Sequence, residues 1–222
     1  MGSTSLLAAT SADLRDHWAW RPEWTPERTC LYWYLAFRQD EIARAVGDEV
    51  LEAVGRVPWL DPVPPEWCHV TLADVGFVDE LEQADVAAVS TAAAEAVGGE
   101  DRLRLTLGPV QTFASAVVLA VGPLSRLRDV RGRVRRATSA VLGERHTDVH
   151  RRLLWPHLSL GYVNRRVDAA TAARFMATLP PVDARLDVGA LTLVAVTRRD
   201  RQYQWEVRTQ VDLVAGLART VG

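Results

Sequence analysis

One short pattern occurs twice in this chain and limits what it can fold into. His69-Val70-Thr71-Leu72 and His157-Leu158-Ser159-Leu160 both have the form His-x-Ser/Thr-Leu, and they begin 88 residues apart. Each sits in a run where apolar and polar residues alternate, the signature of a half-buried β-strand. Residues two apart on a strand project from one face. Each copy therefore sets an imidazole beside a hydroxyl on one surface, with apolar residues on the other. Each copy also belongs to a block of strands followed by a helix. The spacing predicts a degenerate internal duplication: two similar lobes about a pseudo-twofold axis, with a cleft between them.

The rest of the chain supplies elements for such a fold. Residues 1–28 read as an irregular arm, rich in tryptophan (Trp18, Trp20, Trp24) and interrupted by Pro22 and Pro26, that packs as a strap on the body. Those tryptophans are candidates for stacking a ligand, with burial the commoner outcome. Residues 29–222 read as one bilobal domain. Strands are expected at 29–37, 67–75, 102–107, 117–121, 157–163, 185–196 and 203–211. Helices are expected at 39–55, from Asp79 to about Val97, from Pro123 to Leu142 with Gly143 as the stop, and at 168–178. Mixed strands and helices, with hairpin-like neighbours late in the chain, imply an α+β fold. Its expected form is two antiparallel sheets flanking a central cleft, with the helices outside.

Composition excludes several kinds of chemistry. All 26 basic residues are arginine. Without lysine there is no Schiff base, no covalent lysyl-nucleotide intermediate and no phosphate-loop lysine. The formal charge of −2 provides no general basic field for long nucleic acid. No apolar run reaches the length of a membrane-spanning helix, and the start lacks the pattern of a secretory leader. Cys30 and Cys68 both fall in expected strands and read as buried thiols, which fits a cytoplasmic protein. His146 and His150, with Asp148 between them, have the spacing of a helical metal pair. No third ligand is signalled nearby, so no metal and no cofactor are expected. The run Arg126 to Arg136 invites an RNA-binding reading. Leu124, Leu127, Val130 and Val134 recur at helical spacing within it, so an amphipathic helix with a solvated basic face explains it better.

Two hydroxyls and two imidazoles converging on one cleft suit a phosphate. The hydroxyls donate to its oxygens, and the histidines, whose pKa lies near neutrality, move protons on either side of phosphorus. At Trp67-Cys68-His69-Val70-Thr71-Leu72 and Trp155-Pro156-His157-Leu158-Ser159-Leu160 the chain resembles the 2H phosphoesterase superfamily. That group includes the bacterial 2′-5′ RNA ligases and RNA 2′,3′-cyclic phosphodiesterases. The resemblance implies a two-lobed fold, a metal-free site and a phosphodiesterase acting on a 2′,3′-cyclic phosphate or a 2′-5′ linkage. It places His69, Thr71, His157 and Ser159 in catalysis. Tyr34 and Tyr162 are candidate substrate-binding residues, although simple alternation turns Tyr162 away from His157 and Ser159 unless a bulge intervenes. The expected partner is a nucleotide or an RNA-end phosphate, bound by a monomer. The alternatives are a phosphoesterase for a small signalling or specialised-metabolite nucleotide, and a non-catalytic RNA- or nucleotide-binding module.

Overall fold

The computed structural model describes residues 13–19, 22–143, 155–214 and 218–220. In chain order its elements are β1 (Thr29–Ala36), α1 (Gln39–Val46), α2 (Asp48–Gly55), β2 (Leu60–Pro62), β3 (His69–Phe77), α3 (Gln83–Val97), β4 (Leu103–Phe113), β5 (Ala116–Gly122) and α4 (Leu124–Leu142). They continue with β6 (His157–Val163), α5 (Ala169–Met176), β7 (Ala184–Val188), β8 (Ala190–Arg199), β9 (Gln202–Asp212) and β10 (Ala218–Thr220). The fold is mixed α+β, as the alternation of patterns implies.

Every strand pairing among the described residues is antiparallel, and the order across the sheet is β10-β9-β8-β1-β3-β6-β5-β4-β7, with β2 added to β6. The two motif strands, β3 and β6, lie at the centre. They meet through one residue pair, Val70 with Leu158. The two expected sheets are thus the halves of one curled sheet, hinged at that pair. Val70 and Leu158 are fully buried, so the residues flanking them project from the opposite face, into the cleft.

The outer face is covered by helices. α3 packs on α4, and α4 lies against both β3 and β5, so one helix spans the two halves. Leu127, Val130, Val134 and Leu142 form its buried stripe, while Arg126 and Arg133 pair with Glu100, and Arg133 also with Asp129. The amphipathic reading of this arginine run is correct for most of its length. From β1, Leu31, Trp33 and Leu35 enter the same core, each contributing about 1.5–3 kcal/mol by leaving water.

Three expected elements differ in the structure. The helix at 39–55 is two eight-residue helices, broken at Gly47, whose φ of 85° lies in the region that favours glycine. Asp79 does not cap the following helix. Both of its carboxylate oxygens accept from Arg28, and α3 starts four residues later with a capping box between Glu82 and Asp85. The strand at 185–196 is two strands that part at Gly189. β7 pairs with β4 at one end of the sheet, whereas β8 pairs with β1 and β9 in the other half. The two parts differ: β7 is buried at alternate residues, whereas β8 is buried on both faces, and the apolar phase shifts by one residue at Gly189.

Since Leu158 is both a core residue and half of the hinge pair, Leu158→Ala should cost about 2–5 kcal/mol of stability in urea denaturation. A loss below about 1 kcal/mol would contradict the central place given to this pair.

Candidate active site

The concave face of the sheet holds a cavity of about 400 Å³, within the size range of small-ligand sites. All six residues singled out from the sequence line it: His69, Thr71, His157, Ser159, Tyr34 and Tyr162. The antiparallel junction accounts for the first four. With Val70 opposite Leu158, His69 and Thr71 from β3 and His157 and Ser159 from β6 all turn to the cleft. The antiparallel sense sets His69 on the side of Ser159, and Thr71 on the side of His157.

Each imidazole is oriented by the same local bond. His69 Nδ1 is 2.7 Å from the carbonyl of Trp67, and His157 Nδ1 is 2.7 Å from the carbonyl of Trp155. A carbonyl only accepts, so Nδ1–H donates and the neutral ring carries its lone pair on Nε2. The repeated unit is therefore Trp-x-His-x-Ser/Thr-Leu, with the tryptophan backbone selecting the tautomer.

The surroundings of the two rings differ. His69 is buried and stacks flat on Tyr34, with ring centres 3.8 Å apart and planes 6° apart. Burial lowers its pKa to about 4; the Trp67 carbonyl pulls the other way, and the nearby His157 adds a lesser lowering. It is neutral near pH 7. His157 is more open and stands beside Phe113, 5.3 Å between centres, with Phe113 stacked in turn on Trp155 at 5.7 Å.

Bulges complete the arrangement. Opposite β1, strand β3 carries an extra residue at Leu72; opposite β5, strand β6 carries one at Leu160. In both copies the motif leucine is therefore the bulged position. The bulge in β6 reverses the alternation and brings Tyr162 onto the face of His157 and Ser159. The matching position 88 residues earlier is Asp74, which is buried and attracted to Arg131.

Tyr34 and Tyr162 are almost wholly buried, so neither offers an open ring face for a base. Instead, Thr71 stands near Tyr34, and Ser159 near Tyr162, and each hydroxyl offsets a small part of the rise that burial gives the phenol. Burial raises both phenol pKa values, which keeps the rings neutral.

Several residues of the cavity wall escape sequence reasoning. His17 comes from the arm, Tyr203 from β9, Ser115 from the β4–β5 turn and Tyr32 from β1. Arg131, read as part of a solvated face, is 7% exposed, and its Nε donates to the Leu72 carbonyl at 2.9 Å. Its position among Leu127, Val130 and Val134 on the buried stripe of α4 was the available signal. Trp18 bonds to Asp61 through its indole nitrogen, and Trp24 is buried against Tyr32. Neither lines the cavity. Trp20, His146, Asp148 and His150 lie outside the described residues. Among the described residues no three His, Cys, Asp or Glu side chains come together to hold a metal ion, and no helix is long and apolar enough to cross a membrane.

The depressed histidines make stability depend on pH. His17 is lowered to about 3, first by burial and then by the charges of Arg198 and His157; His69 is lowered to about 4. The unfolded chain takes up these protons near 6.5, whereas the folded protein takes them up only near 3 to 4. Stability is therefore complete above 6.5 and falls as pH drops from there towards 4. The urea midpoint should be lower at pH 5 than at pH 7, and His69→Gln should make the decline shallower. An equal or higher midpoint at pH 5 would refute this account.

A family model of the 2′-5′ RNA ligase superfamily matches residues 40–200, which include both motif strands. TT0787 of Thermus thermophilus has a similar structure, with a TM-score of 0.64 and 18% identity over 84% of this chain and 98% of that one. E. coli LigT complexed with 3′-AMP gives a TM-score of 0.64 and 18% identity, over 84% of this chain and 99% of that one. A further crystal structure, of a phosphoesterase, gives 0.63 and 20% over 84% and 99%. No curated protein sequence matches the chain. At these identities the structural likeness establishes the fold, while the sequence match over both motifs establishes the family: the chain belongs to the 2′-5′ RNA ligase superfamily of 2H phosphoesterases.

Proposed function

We propose that this protein is a metal-independent phosphodiesterase. It opens a 2′,3′-cyclic phosphate, or cleaves a 2′-5′ phosphodiester, on a nucleotide or at an RNA end. The observation that carries this reading is the pair of Nδ1-anchored imidazoles, each with its motif hydroxyl, lining one cavity. Two proton-transfer groups on opposed strands suit a displacement at phosphorus better than they suit binding alone.

One histidine accepts a proton from water at Nε2 as the new P–O bond forms. The other donates a proton to the ribose oxygen as its bond to phosphorus breaks. Thr71 and Ser159 donate to the non-bridging oxygens, whose charge grows in the transition state. Tyr34, stacked on His69, and Tyr162, on the face of Ser159, then act as positioning residues. The pseudo-twofold relation lets either histidine serve as base, depending on which way the substrate enters. An anionic phosphate between the rings favours a protonated imidazole, so binding raises the proton affinity that burial lowers.

Nucleotide substrates fit the same reading, since LigT, of like fold, is seen with 3′-AMP, with ATP and with phosphate. The two cysteines are buried free thiols, which suits a reducing cytoplasmic setting. We take residues 29–222 as a single bilobal domain that works as a monomer, with residues 1–28 as its arm. A small signalling or metabolite phosphodiester is the second reading. It is favoured by cavity charge, because Arg131 is the only cationic side chain among the described residues lining the site.

His69→Ala and His157→Ala should each lower turnover of a 2′,3′-cyclic nucleotide by about 10²–10⁴-fold. Thr71→Val and Ser159→Ala should cost about 10²–10³-fold in kcat. Product analysis over cyclic nucleotides, 2′-5′ dinucleotides and cyclic oligonucleotides checks these values, and activity should survive EDTA. Full activity in either histidine variant would refute the mechanism. Binding without product across the panel would favour the binding-module alternative.

A further inference from the structure

The arm precedes the family-matched residues 40–200, yet it builds one wall of the cavity. Residues 14–17 run along the end of β6: Leu14 and Val167 exchange backbone hydrogen bonds of 2.8 and 3.1 Å, and His17 N–H donates to the Val163 carbonyl at 2.7 Å. Arg15 N–H donates to the Ala114 carbonyl at 3.2 Å. The arm is thereby fixed at backbone level to the β5–β6 half of the sheet.

The His17 ring then crosses to the other half. Its Nδ1 is 2.9 Å from Ser115 Oγ, in the β4–β5 turn, and its Nε2 is 2.9 Å from the hydroxyl of Tyr203, on β9. The ring lies over Tyr162, with centres 4.3 Å apart and planes 29° apart. Trp18 extends the closure: its indole donates to Asp61 of β2 at 2.8 Å, and its carbonyl accepts from Arg198 of β8 at 2.9 Å. One imidazole and its neighbour thus join two halves that the sheet itself links through a single pair. They do so at the side of the cleft where Tyr162 and Tyr203 stand.

A wall there limits what can lie across the two histidines. A 2′-5′ linkage has a nucleoside on each side of phosphorus and needs space in both directions. A 2′,3′-cyclic phosphate, on a free nucleotide or at an RNA end, has its ribose on one side and water on the other. The cavity of about 400 Å³ suits a single nucleotide better than a passing chain. We infer that the His17–Trp18 segment is a specificity element that confines the site to cyclic phosphates and refuses linkages flanked by nucleosides on both sides. This rests on the phosphodiesterase reading and decides between the two substrates it allows.

The test compares kcat/KM for a 2′,3′-cyclic adenylate and a 2′-5′-linked diadenylate. Wild-type protein should prefer the cyclic substrate by at least about 100-fold, and His17→Ala should raise the diadenylate-to-cyclic ratio by about tenfold or more. Ser115→Ala removes one of the two hydrogen bonds on the ring, so it should shift the ratio in the same direction but by less than His17→Ala, and a shift larger than that of His17→Ala would count against the wall. Comparable wild-type rates on both substrates would overturn the inference, as would a His17→Ala variant that loses both activities in proportion. If neither substrate turns over, the phosphodiesterase reading fails, and calorimetry then tests the wall by itself. Wild type should bind adenosine 3′-monophosphate over the diadenylate, and His17→Ala should lose that preference. Equal binding by wild type, or no binding of either nucleotide, would overturn the wall.

Discussion

The pairing of Val70 with Leu158 is the contact on which the rest depends. Among the described residues it is the only place where the two motif strands are bonded to each other, and both side chains enter the helix-covered core. A buried residue at each centre forces its neighbours at i−1 and i+1 to the other face. One contact therefore delivers two imidazoles and two hydroxyls to the same cleft. A one-residue slip in either strand would exchange core for cleft and dismantle both at once.

A joint this narrow needs support, and it has support on both faces. On the outer face, α4 lies across β3 and β5, and its Arg131 reaches the Leu72 carbonyl in the bulge of the first motif. On the cleft face, His17 connects Ser115 to Tyr203. The site between them is mostly aromatic and nearly free of charge. In such surroundings burial holds the proton affinity of His17 and His69 down, which is what lowers stability at acid pH.

Much of this was legible in the chain. The alternation around His69 and His157 reports the strands and their faces, because period-two burial is a local property of the sequence. Leu127, Val130 and Val134 report the buried stripe of α4, and Gly143 its end. Less was legible where a residue's use depends on a distant partner. Asp79 has the right type and position for a helix cap, but Arg28 takes it. Residues 185–196 read as one apolar strand, but their partners lie in opposite halves of the sheet. Tyr162 is on the wrong face by counting and on the right face by one bulged residue at Leu160.

The sequence by itself determined the chemistry on offer and the two strands that carry it. A histidine, a hydroxyl and a leucine at fixed spacing have only one way to sit on a half-buried strand. The tertiary structure alone decided how those strands meet, and which residues from elsewhere close the cleft. His17, Arg131 and Tyr203 reach the site through an arm, a helix and an edge hairpin whose positions follow from long-range packing. Long-range pairing leaves no local period for the sequence to display, so these contributors appear only once the chain is folded.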